Sequence, residues 1–485
     1  MKRLLFILLL TSNFASAQNF TKTQVVSGLP WGIAFDFAPD GRIFATKKGG
    51  FQVPSTDVAI KVYDASGNYL SEFYDLSDSV PTYGEYGLLG IALDPNFTQN
   101  HFVYCYYTYS DDPLGMGDIH LRVQRFTESN NLGTQPIVIL DLNVADTMSA
   151  NHVGGNIHFR PSDTTHIYVT IGDMTTGDNG FNDAARLDNP IGKILRISKY
   201  PGASPPSDNP FYDDGNPTTG NCDYIWAYGL RNSFDFCFGP NDSLYATENG
   251  VSHYDELNLI TRGGYYGWPE CEGNYDKDTL SLPCHAQNAI APLITFPMPL
   301  PSLTGIAFYT DTVWAAQQNH LILGDFNHAD LTQVYLNNSP AYNGVDSAVF
   351  WIDESNLNGI TCVKQGPDGC IYVMEIGDTV FGGIYKICPT GSNIVEPEPA
   401  WSLQVGPNPF NSSTTIYYSM GEASGVVLKL YDAFGKEVAV LIDDSQTSGN
   451  HSVEVDTQKY ALSSGIYICV MQSEQFTKSI KLIVE

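Results

Sequence analysis

The segment GNIHFRPSDTTHIYVTIGD, residues 155–173, shows the pattern that decides the fold: an apolar strand, a polar turn and a second apolar strand. Segments of this kind recur, and they begin at Gly32, Gly90, Gly155, Phe234, Gly305 and Gly359. Their intervals of 58, 65, 79, 71 and 54 residues exceed those of most solenoid repeats and suit four-stranded propeller blades with long loops. The sequence therefore predicts an all-β fold built around a six-bladed β-propeller.

The repeated unit is a hairpin, and a single hairpin is only marginally stable in water. Stacking such units around a ring buries their faces against one another. An array of β-sandwiches with similar turns is the alternative. We favour the propeller because the turn and the I/L-Y-V/A-T segment that follows it recur together.

The two ends of the chain differ in composition from its centre. Residues 1–17 combine a basic start, an apolar run and Ala-Ser-Ala, which predicts a secretory signal peptide. Residues 389–401, PTGSNIVEPEPAW, are rich in proline, glycine and acids and predict a linker. Residues 402–485 show short alternating strands typical of a small β-sandwich. The propeller is therefore expected to span residues 18–388.

Charge and apolar segments limit the partners. The 485-residue chain has a formal net charge of −29 at pH 7, and loss of Lys2 and Arg3 with the signal peptide makes it −31. This charge argues against nucleic acid and anionic membranes as partners. After the signal peptide, no apolar run reaches the roughly 18 residues of a transmembrane segment. Among nine cysteines, Cys271 and Cys284 flank a short loop and are the expected disulfide of an exported protein.

Several segments of the chain form a recognisable series: GEYGLLGIALDPNF (84–97), NHVGGNIHF (151–159), IYVTIGD (167–173), NPIGKILRI (189–197), YGLRNSFDFCFGP (228–240), ENGVSHYDELNLI (248–260) and YYGWPECEG (265–273). In this order they resemble the soluble quinoprotein glucose/sorbosone dehydrogenases, and the similarity runs from about residue 29 to 387. The resemblance implies a six-bladed propeller that binds pyrroloquinoline quinone (PQQ) and calcium. YGWPECEG is most similar to the sorbosone branch, which also includes non-enzymatic relatives such as the hedgehog-interacting propeller.

The tail has a resemblance of its own. GPNPFNSSTTIYYSM, LYDAFGKEV and LSSGIYICVMQSEQFTKSIKLIVE resemble the C-terminal sorting domain of the type IX secretion system. This implies export across the outer membrane, with the type IX machinery as a partner and a secreted or cell-surface location. The alternative is an ordinary carbohydrate-binding or adhesion sandwich.

Oxidation of a sugar hydroxyl needs a base for the alcohol proton while hydride leaves carbon for an electrophilic acceptor. A neutral imidazole suits this role, and the resemblance assigns it to His152. The glycines after His152 would let substrate or cofactor approach the backbone closely. The resemblance implies that Asp173 orients this histidine, and Asp178 on the same loop is a second candidate. A structural histidine and a strand-end turn aspartate are the alternatives.

Further residues are expected to contact the cofactor. The resemblance implies that Arg231 stabilises negative charge that develops on a quinone oxygen; an ion pair between blades is the alternative. Asn232 follows it in the same motif. Glu85 stands where many of the resembling enzymes have glutamine.

Calcium prefers oxygen ligands, including backbone carbonyls. The resemblance implies that the carbonyls of Gly250 and Val251 bind the ion beside the cofactor, where it would polarise the quinone. It also implies that Asp255, Glu256 and the Tyr266 backbone contribute to a second, structural calcium site. A solvated acidic turn is the alternative.

One part of the pattern is missing. The resembling sugar dehydrogenases hold the three cofactor carboxylates with a lysine in blade five and an arginine pair before the blade-six turn. The corresponding segments here are GDFNHADLT (324–332) and ESNLNGITCVKQ (354–365), which contain no arginine and, as lysine, only Lys364.

Three functions follow from these residues. The first is a secreted PQQ- and calcium-dependent dehydrogenase that oxidises a sugar or polyol and passes electrons to an external acceptor. The second is a non-catalytic, calcium-stabilised propeller that binds glycans or proteins, favoured by the missing basic residues. The third is a hydrolase such as a lactonase, which would need Glu85, Asp173, Asp178 and an asparagine around a central calcium ion.

Overall fold

The fold is taken from a computed structural model of the chain. It describes residues 20–50, 57–112, 117–144, 150–279, 283–284, 286–314, 317–337, 341–352, 359–377, 382–389, 401–406, 408, 410–420, 424–432, 436–446, 449–473 and 477–484. The expected signal peptide and nearly all of the expected linker lie outside these residues. Contacts divide the chain into two compact units, residues 1–390 and 391–485.

The described residues of the first unit form six four-stranded antiparallel sheets. The first sheet consists of β2 (Gly32–Phe37), β3 (Ile43–Lys47), β4 (Ala59–Tyr63) and β5 (Tyr69–Asp75). The second consists of β6 (Leu88–Leu93), β7 (Phe102–Tyr109), β8 (His120–Ser129) and β9 (Leu132–Asn143), with the short helix α1 (Phe97–Asn100). The third consists of β10 (Ile157–Arg160), β11 (Asp163–Ile171), β12 (Lys193–Ser198) and β13 (Ile225–Tyr228), with a 3₁₀ turn at Asp183–Ala185.

The remaining sheets continue the series. The fourth consists of β14 (Ser233–Phe238), β15 (Leu244–Glu248), β16 (Tyr254–Ile260) and β19 (Ile294–Pro297), with the small hairpin β17 (Cys271–Glu272) and β18 (Tyr275–Asp276) inserted. The fifth consists of β20 (Leu303–Tyr309), β21 (His320–Asp325), β22 (Leu331–Asn337) and β23 (Gly344–Ile352). The sixth consists of β24 (Ile360–Gln365), β25 (Ile371–Glu375), β26 (Gly383–Pro389) and the N-terminal β1 (Phe20–Ser27).

The sheets follow one another around a ring. The first strand of each sheet contacts the first strand of the next, and β24 also contacts β2. The Thr361 hydroxyl donates to the Gly32 carbonyl at 3.1 Å across this last junction. Because β1 pairs with β26, the two ends of the unit share one blade. These sheets are the blades of the predicted six-bladed propeller, and each predicted repeat covers the two innermost strands of one blade.

The threonine that ends the repeated I/L-Y-V/A-T segment has a common role. Thr46, Thr170 and Thr247 are fully buried. The Thr46 hydroxyl donates to the carbonyl of Leu89 in the next blade at 3.1 Å. The Thr247 hydroxyl donates to the Thr304 carbonyl at 2.7 Å. At these two junctions the recurring threonine links adjacent blades with a hydrogen bond and satisfies a buried carbonyl.

Apolar side chains fill the space between blades. One cluster combines Val26 of β1, Phe35 of the first blade, Val103 of the second and Met374 of the sixth, all buried. Similar clusters span the other junctions. Each blade therefore buries its faces against its neighbours, as the stability argument from sequence requires.

The second unit is a two-layer β-sandwich, as predicted. One sheet has the order β27 (Trp401–Gly406), β28 (Ser413–Met420) and β31 (Gly449–Asp456). The other has the order β30 (Glu437–Gln446), β29 (Ser424–Asp432), β32 (Gly465–Gln472) and β33 (Thr477–Val484). Its core includes Ile416 from one sheet and Leu428, Cys469 and Leu482 from the other. Across the described residues of the whole chain, no helix is long and apolar enough to cross a membrane.

Two disulfides occur among the described residues. The expected Cys271–Cys284 bond is present, with Cα atoms 5.3 Å apart. A second bond, Cys370–Cys388, joins the start of β25 to β26, the strand that pairs with β1. It was not predicted, because its cysteines are 18 residues apart in sequence and only strand pairing brings them together.

Candidate functional site

The site is centred on a histidine–aspartate pair in the third blade. His152 precedes β10, and Asp173 follows β11. Since these strands are antiparallel neighbours, the two residues meet at one end of the blade. His152 Nδ1 lies 2.8 Å from Asp173 Oδ1. The His152 side chain is 12% exposed and that of Asp173 is fully buried.

The Asp173 carboxylate accepts hydrogen bonds on both oxygens. Oδ1 accepts from the Thr175 amide at 2.8 Å, and Oδ2 accepts from the Gly177 amide at 3.1 Å and from Trp268 Nε1 at 2.7 Å. With both oxygens acting as acceptors, the hydrogen bond to His152 is donated by Nδ1–H. The lone pair of the neutral imidazole is therefore on Nε2. Trp268 lies in a motif quoted above, but its role was not predicted.

The backbone around this pair is held in an unusual conformation. His152, Met174 and Thr175 have φ angles of +57°, +52° and +60°. Non-glycine residues in the left-handed region cost roughly 1–3 kcal/mol and cluster at functional sites. The Met174 amide donates to the His152 carbonyl at 3.1 Å and so ties the two loops together.

The glycines after His152 have a different role from the predicted one. A Cβ at Gly154 would collide with the Thr170 carbonyl, and one at Gly155 would collide with the Phe234 carbonyl of the next blade. The space beside these glycines is filled by the protein backbone. They allow close packing of strands and blades, which fixes the position of His152.

Arg231 lies in the loop before β14, and all three nitrogens of its guanidinium group donate hydrogen bonds. Its Nε and Nη2 donate to the two oxygens of Asp178 at 3.2 and 2.8 Å. Its Nη1 donates to the carbonyls of Asn249 and Gly250 at 3.0 and 2.7 Å. The Trp268 ring lies 5.5 Å from the guanidinium carbon. Asp178 Oδ2 also lies 3.9 Å from His152 Nδ1, so this carboxylate lies between the imidazole and the guanidinium.

Glu85 and Lys48 extend the candidate site toward the first blade. Glu85 Oε2 accepts from the His152 amide at 2.7 Å. Lys48 is buried, and its Nζ donates to the Thr82 carbonyl at 3.1 Å. Burial lowers the pKa of Lys48 to about 8, while the nearby Glu85 acts in the opposite direction. Lys48 was not predicted; the signal available was its position directly after an inner hairpin strand.

Asn232 and Glu248 support the arginine loop. The Asn232 side-chain oxygen accepts from the Gly154 amide at 3.3 Å, which joins this loop to the His152 loop. Glu248 Oε1 accepts from the Arg231 amide at 2.8 Å and from the Asn232 amide. The Ser233 hydroxyl donates to Glu248 Oε2.

The expected calcium loop follows β15. The Gly250 carbonyl accepts from Arg231, and its second lone pair leaves it able to bind a cation as well. Val251 is 40% exposed. Asp255 holds the loop, because its oxygens accept from the amides of Gly250 at 3.0 Å and Leu303 at 3.1 Å. Burial raises the pKa of Asp255 to about 6, and these hydrogen bonds oppose the shift.

Three buried glutamates line a small pocket beside this loop. Glu248, Glu256 and Glu272 line it together with Tyr266 and Trp268. Burial and the neighbouring Glu256 raise the pKa of Glu248 to about 8. Burial raises the pKa of Glu256 to about 7, with Glu272 adding to the shift. Buried carboxylates that raise one another's pKa fit a site for an oxygen-binding cation.

Of the predicted structural calcium set, the structure brings Glu256 and Tyr266 to this pocket, whereas Asp255 makes the two backbone contacts described above. Glu248 and Glu272 were missed. Both lie in motifs quoted from the sequence, ENGVSHYDELNLI and YYGWPECEG, and only the fold shows that these motifs face each other.

A family model, glucose/sorbosone dehydrogenase, matches residues 28–381. The chain belongs to this family. A second model, the secretion-system C-terminal sorting domain, matches residues 404–485. This tail indicates secretion or a surface location through the type IX system.

Relatives in the family include sugar dehydrogenases. The chain is 29% identical to quinoprotein glucose dehydrogenase B of Acinetobacter calcoaceticus over 291 residues, 55% of this chain and 56% of that protein. It is 24% identical over 372 residues to an aldose sugar dehydrogenase of Escherichia coli K12, 74% of this chain and 90% of that protein. The PQQ-bound aldose sugar dehydrogenase of Streptomyces coelicolor has the same fold, with a TM-score of 0.58, 21% identity and coverage of 76% and 98%.

The basic residues that the resembling dehydrogenases use to hold the cofactor carboxylates are mostly missing from the matching segments here. Lys364 is near the end of β24, whereas His152 and Arg231 precede the first strands of their blades. It therefore lies at the opposite end of these first strands. Its Nζ is 3.6 Å from Asp36. Burial opposes the charge of Lys364, but Asp36 and other acids nearby raise its pKa above the ordinary value. The first five residues of the predicted blade-six segment, 354–358, lie outside the described residues.

The three carboxylates predicted to surround a central calcium ion in a hydrolase each bind a neighbouring group of the protein. Glu85 binds the His152 amide, Asp173 binds the His152 ring, and Asp178 binds Arg231. Neither these three carboxylates nor the three glutamates of the pocket belong to the groups of described residues whose metal-binding atoms lie within 4.8 Å of one another. Each of the three predicted carboxylates therefore already binds a neighbouring group of the protein.

Proposed function

We propose that this protein is a secreted PQQ- and calcium-dependent oxidoreductase that oxidises a sugar or polyol, with His152 as the base. The observation that carries the proposal is the His152–Asp173 pair. It lies beside Arg231, just before the first strands of two neighbouring blades. Membership of a family of sugar dehydrogenases supports the same reaction class.

The base works through its ring nitrogens. Asp173 fixes the Nδ1–H tautomer, so Nε2 accepts the proton of the sugar hydroxyl. The carboxylate then stabilises the imidazolium that forms. Thr175, Gly177 and Trp268 keep this carboxylate in place without reorganisation, because their donors are already bound to it.

PQQ, when bound, supplies the electrophilic acceptor for the hydrogen and the electron pair that leave the sugar carbon. Arg231 provides a fixed positive charge at the site, since Asp178 and two carbonyls hold its guanidinium. Lys48 adds a second basic group beside Glu85. Asn232, Glu85 and Asp178 position these groups and would line the cofactor.

Calcium would bind in two places. The loop of Gly250 and Val251 offers carbonyls next to Arg231. The pocket of Glu248, Glu256 and Glu272 offers carboxylates whose mutual repulsion a divalent cation would relieve. Asp255 would hold the first loop, and Tyr266 would line the second site.

A non-catalytic propeller that binds glycans or proteins is the second candidate. One observation favours it: Lys364, the lysine of the expected clamp segments, pairs with Asp36 at the other end of the inner strands. The cofactor carboxylates then have fewer basic partners than a tricarboxylate calls for.

The test is a titration of the full chain with PQQ, with and without calcium, followed by aldoses and an artificial electron acceptor. We expect calcium-dependent binding and then sugar-dependent bleaching of the cofactor. His152→Ala should bind PQQ nearly as the parent does but lose turnover, whereas His120→Ala, at a surface histidine–aspartate pair, should keep it. Turnover retained by His152→Ala would refute the base assignment. No PQQ binding at high micromolar concentration would favour the second candidate.

A further inference from the structure

The loop after β21 carries a second cluster of metal-binding side chains. Asp325, His328 and Asp330 each offer one ligand atom, and these atoms lie within 4.8 Å of one another. The cluster is separate from the glutamate pocket, but it lies at the same end of the blades. Asp325 pairs with Leu303, and the Leu303 amide donates to Asp255 of the predicted calcium loop.

Asp325 has an unsatisfied oxygen in a buried position. The residue is 2% exposed. Its Oδ1 accepts from the amides of His328 at 2.7 Å and Ala329 at 3.0 Å. Its Oδ2 has no hydrogen-bond partner among the described residues. Burial and the nearby Asp330 raise the pKa of Asp325 to about 6. A buried carboxylate oxygen without a partner is unfavourable unless a proton or a cation joins it.

The third blade contains an aspartate and a histidine with the same sequence spacing, but there a positively charged side chain already pairs with the aspartate. Asp163 and His166 are also three residues apart, and their side chains lie 2.7 Å from each other. There Arg196 donates to Asp163 at 3.2 Å and supplies the positive charge. Burial alone would raise the pKa of Asp163, but the hydrogen bonds that Asp163 accepts from Thr165 and His166 outweigh burial and lower this pKa. For Asp325, the ion pair found among the described residues is the one to His328, at 3.7 Å.

We propose that Asp325, His328 and Asp330 form a binding site for a divalent transition-metal ion of the zinc class. One imidazole and two carboxylates are ligands that such ions accept, whereas calcium prefers oxygen alone. Three protein ligands leave a position for water or an added ligand. The exposed His328 gives the ion a route from solvent.

The ion would also change the local charge. Two carboxylates and a neutral imidazole carry −2, and a divalent cation brings the cluster to neutrality. This loop lies within residues 324–332, where the resemblance leads one to expect a lysine. A bound metal would therefore cancel the negative charge of a segment that contains no lysine or arginine. Metal binding itself does not depend on the proposed dehydrogenase activity.

The experiment uses the untagged full chain, stripped with a chelator and titrated with Co²⁺ in the presence of excess calcium, which fills the oxygen-only sites. We expect one equivalent of Co²⁺ with visible d–d absorption, and displacement by Zn²⁺ but not by further calcium. His328→Ala should weaken Co²⁺ binding at least about tenfold. The fold of this variant should be unchanged in circular dichroism, since the His328 side chain is 37% exposed and does not belong to the apolar core.

His166→Ala is the matched control, because it removes a histidine with the same spacing from a cluster that already has an arginine. It should bind Co²⁺ as the parent does. Equal affinity in His328→Ala and the parent would overturn the site. Displacement of Co²⁺ by calcium would overturn the metal class. Asp330→Asn provides a second variant, with weakened binding expected and unchanged binding contradicting the ligand set.

Discussion

At the scale of single residues, the proposed chemistry depends on which nitrogen of His152 carries the proton. Asp173 decides this, since both of its oxygens act as acceptors for amides, an indole and the imidazole. Replacement by an amide would keep the size of the side chain but place an NH₂ group against the ring. The imidazole would then be free to adopt the other tautomer, with its lone pair turned away from the substrate.

We therefore expect Asp173→Asn to lower kcat by about 10⁴-fold, the size of the effect that the same change has in serine proteases. PQQ binding should change little. Steady-state kinetics with an artificial acceptor measure the first quantity and cofactor absorbance the second. Asp141→Asn, at the surface pair with His120, is the control and should leave kcat unaltered. A change in KM alone for Asp173→Asn would contradict the tautomer argument.

Trp268 belongs to the same network through its indole N–H. Trp268→Phe keeps an aromatic ring near Arg231 but removes one of the two N–H donors to Oδ2 of buried Asp173. We expect a loss of about 1–3 kcal/mol in the free energy of unfolding. The pH profile of kcat should shift as well, because Asp173 is less firmly oriented. Urea unfolding and a pH–rate profile measure the two effects; a stability loss with an unchanged profile would assign Trp268 to packing only.

At the scale of elements, β15, β16 and the β17 hairpin bring three buried glutamates together in a small pocket. In chelator, the raised pKa values of Glu248 and Glu256 mean that the folded state binds protons more tightly than the unfolded chain does. The associated stability is complete below the ordinary carboxyl pKa and is lost as pH rises through the raised values. A bound cation would offset the unfavourable burial of the ionised glutamates and so reduce this loss of stability.

The free energy of unfolding in chelator should therefore fall between about pH 4.5 and 8, and calcium should reduce the fall. Urea unfolding at several pH values, with calcium or with chelator, measures it. Glu256→Gln should flatten the pH dependence in chelator, while Glu72→Gln, at an exposed strand position, should not. A stability that is independent of calcium at pH 8 would exclude this pocket as a calcium site.

At the scale of the whole molecule, the ring is completed by β1, which pairs with β26 in the last blade. Val26 of β1 is fully buried among side chains of the first and sixth blades. Because β1 joins the start of the unit to its end, loosening it should affect the unit as a whole rather than fray one terminus.

Val26→Ala should lower the free energy of unfolding by roughly 1–3 kcal/mol, within the main cooperative transition. Thr23→Ala, at an exposed position of β1, should change it by no more than about 0.5 kcal/mol. Near-ultraviolet circular dichroism and hydrogen exchange measured together can separate global from local opening. An early, separate transition confined to β1 would show that this strand does not close the ring.

The repeat spacing, the signals at both ends and the alternation of apolar residues were enough to predict the propeller, its blade number and the C-terminal sandwich. These features are periodic, and burial requires the same pattern in every blade. The Cys271–Cys284 bond was also readable, because its cysteines are close in sequence. His152, Asp173 and Arg231 lie in continuous motifs, so sequence could name them.

Only the tertiary structure brought together groups that are distant in the chain. Trp268 meets Asp173 across 95 residues, and Cys370 meets Cys388 through strand pairing. Lys48 becomes a member of the site because the ends of separate blades converge on one face. Sequence periodicity specifies which side of a strand is buried, but the contacts between strand ends depend on how the blades close around the axis, and that is a property of the folded ring.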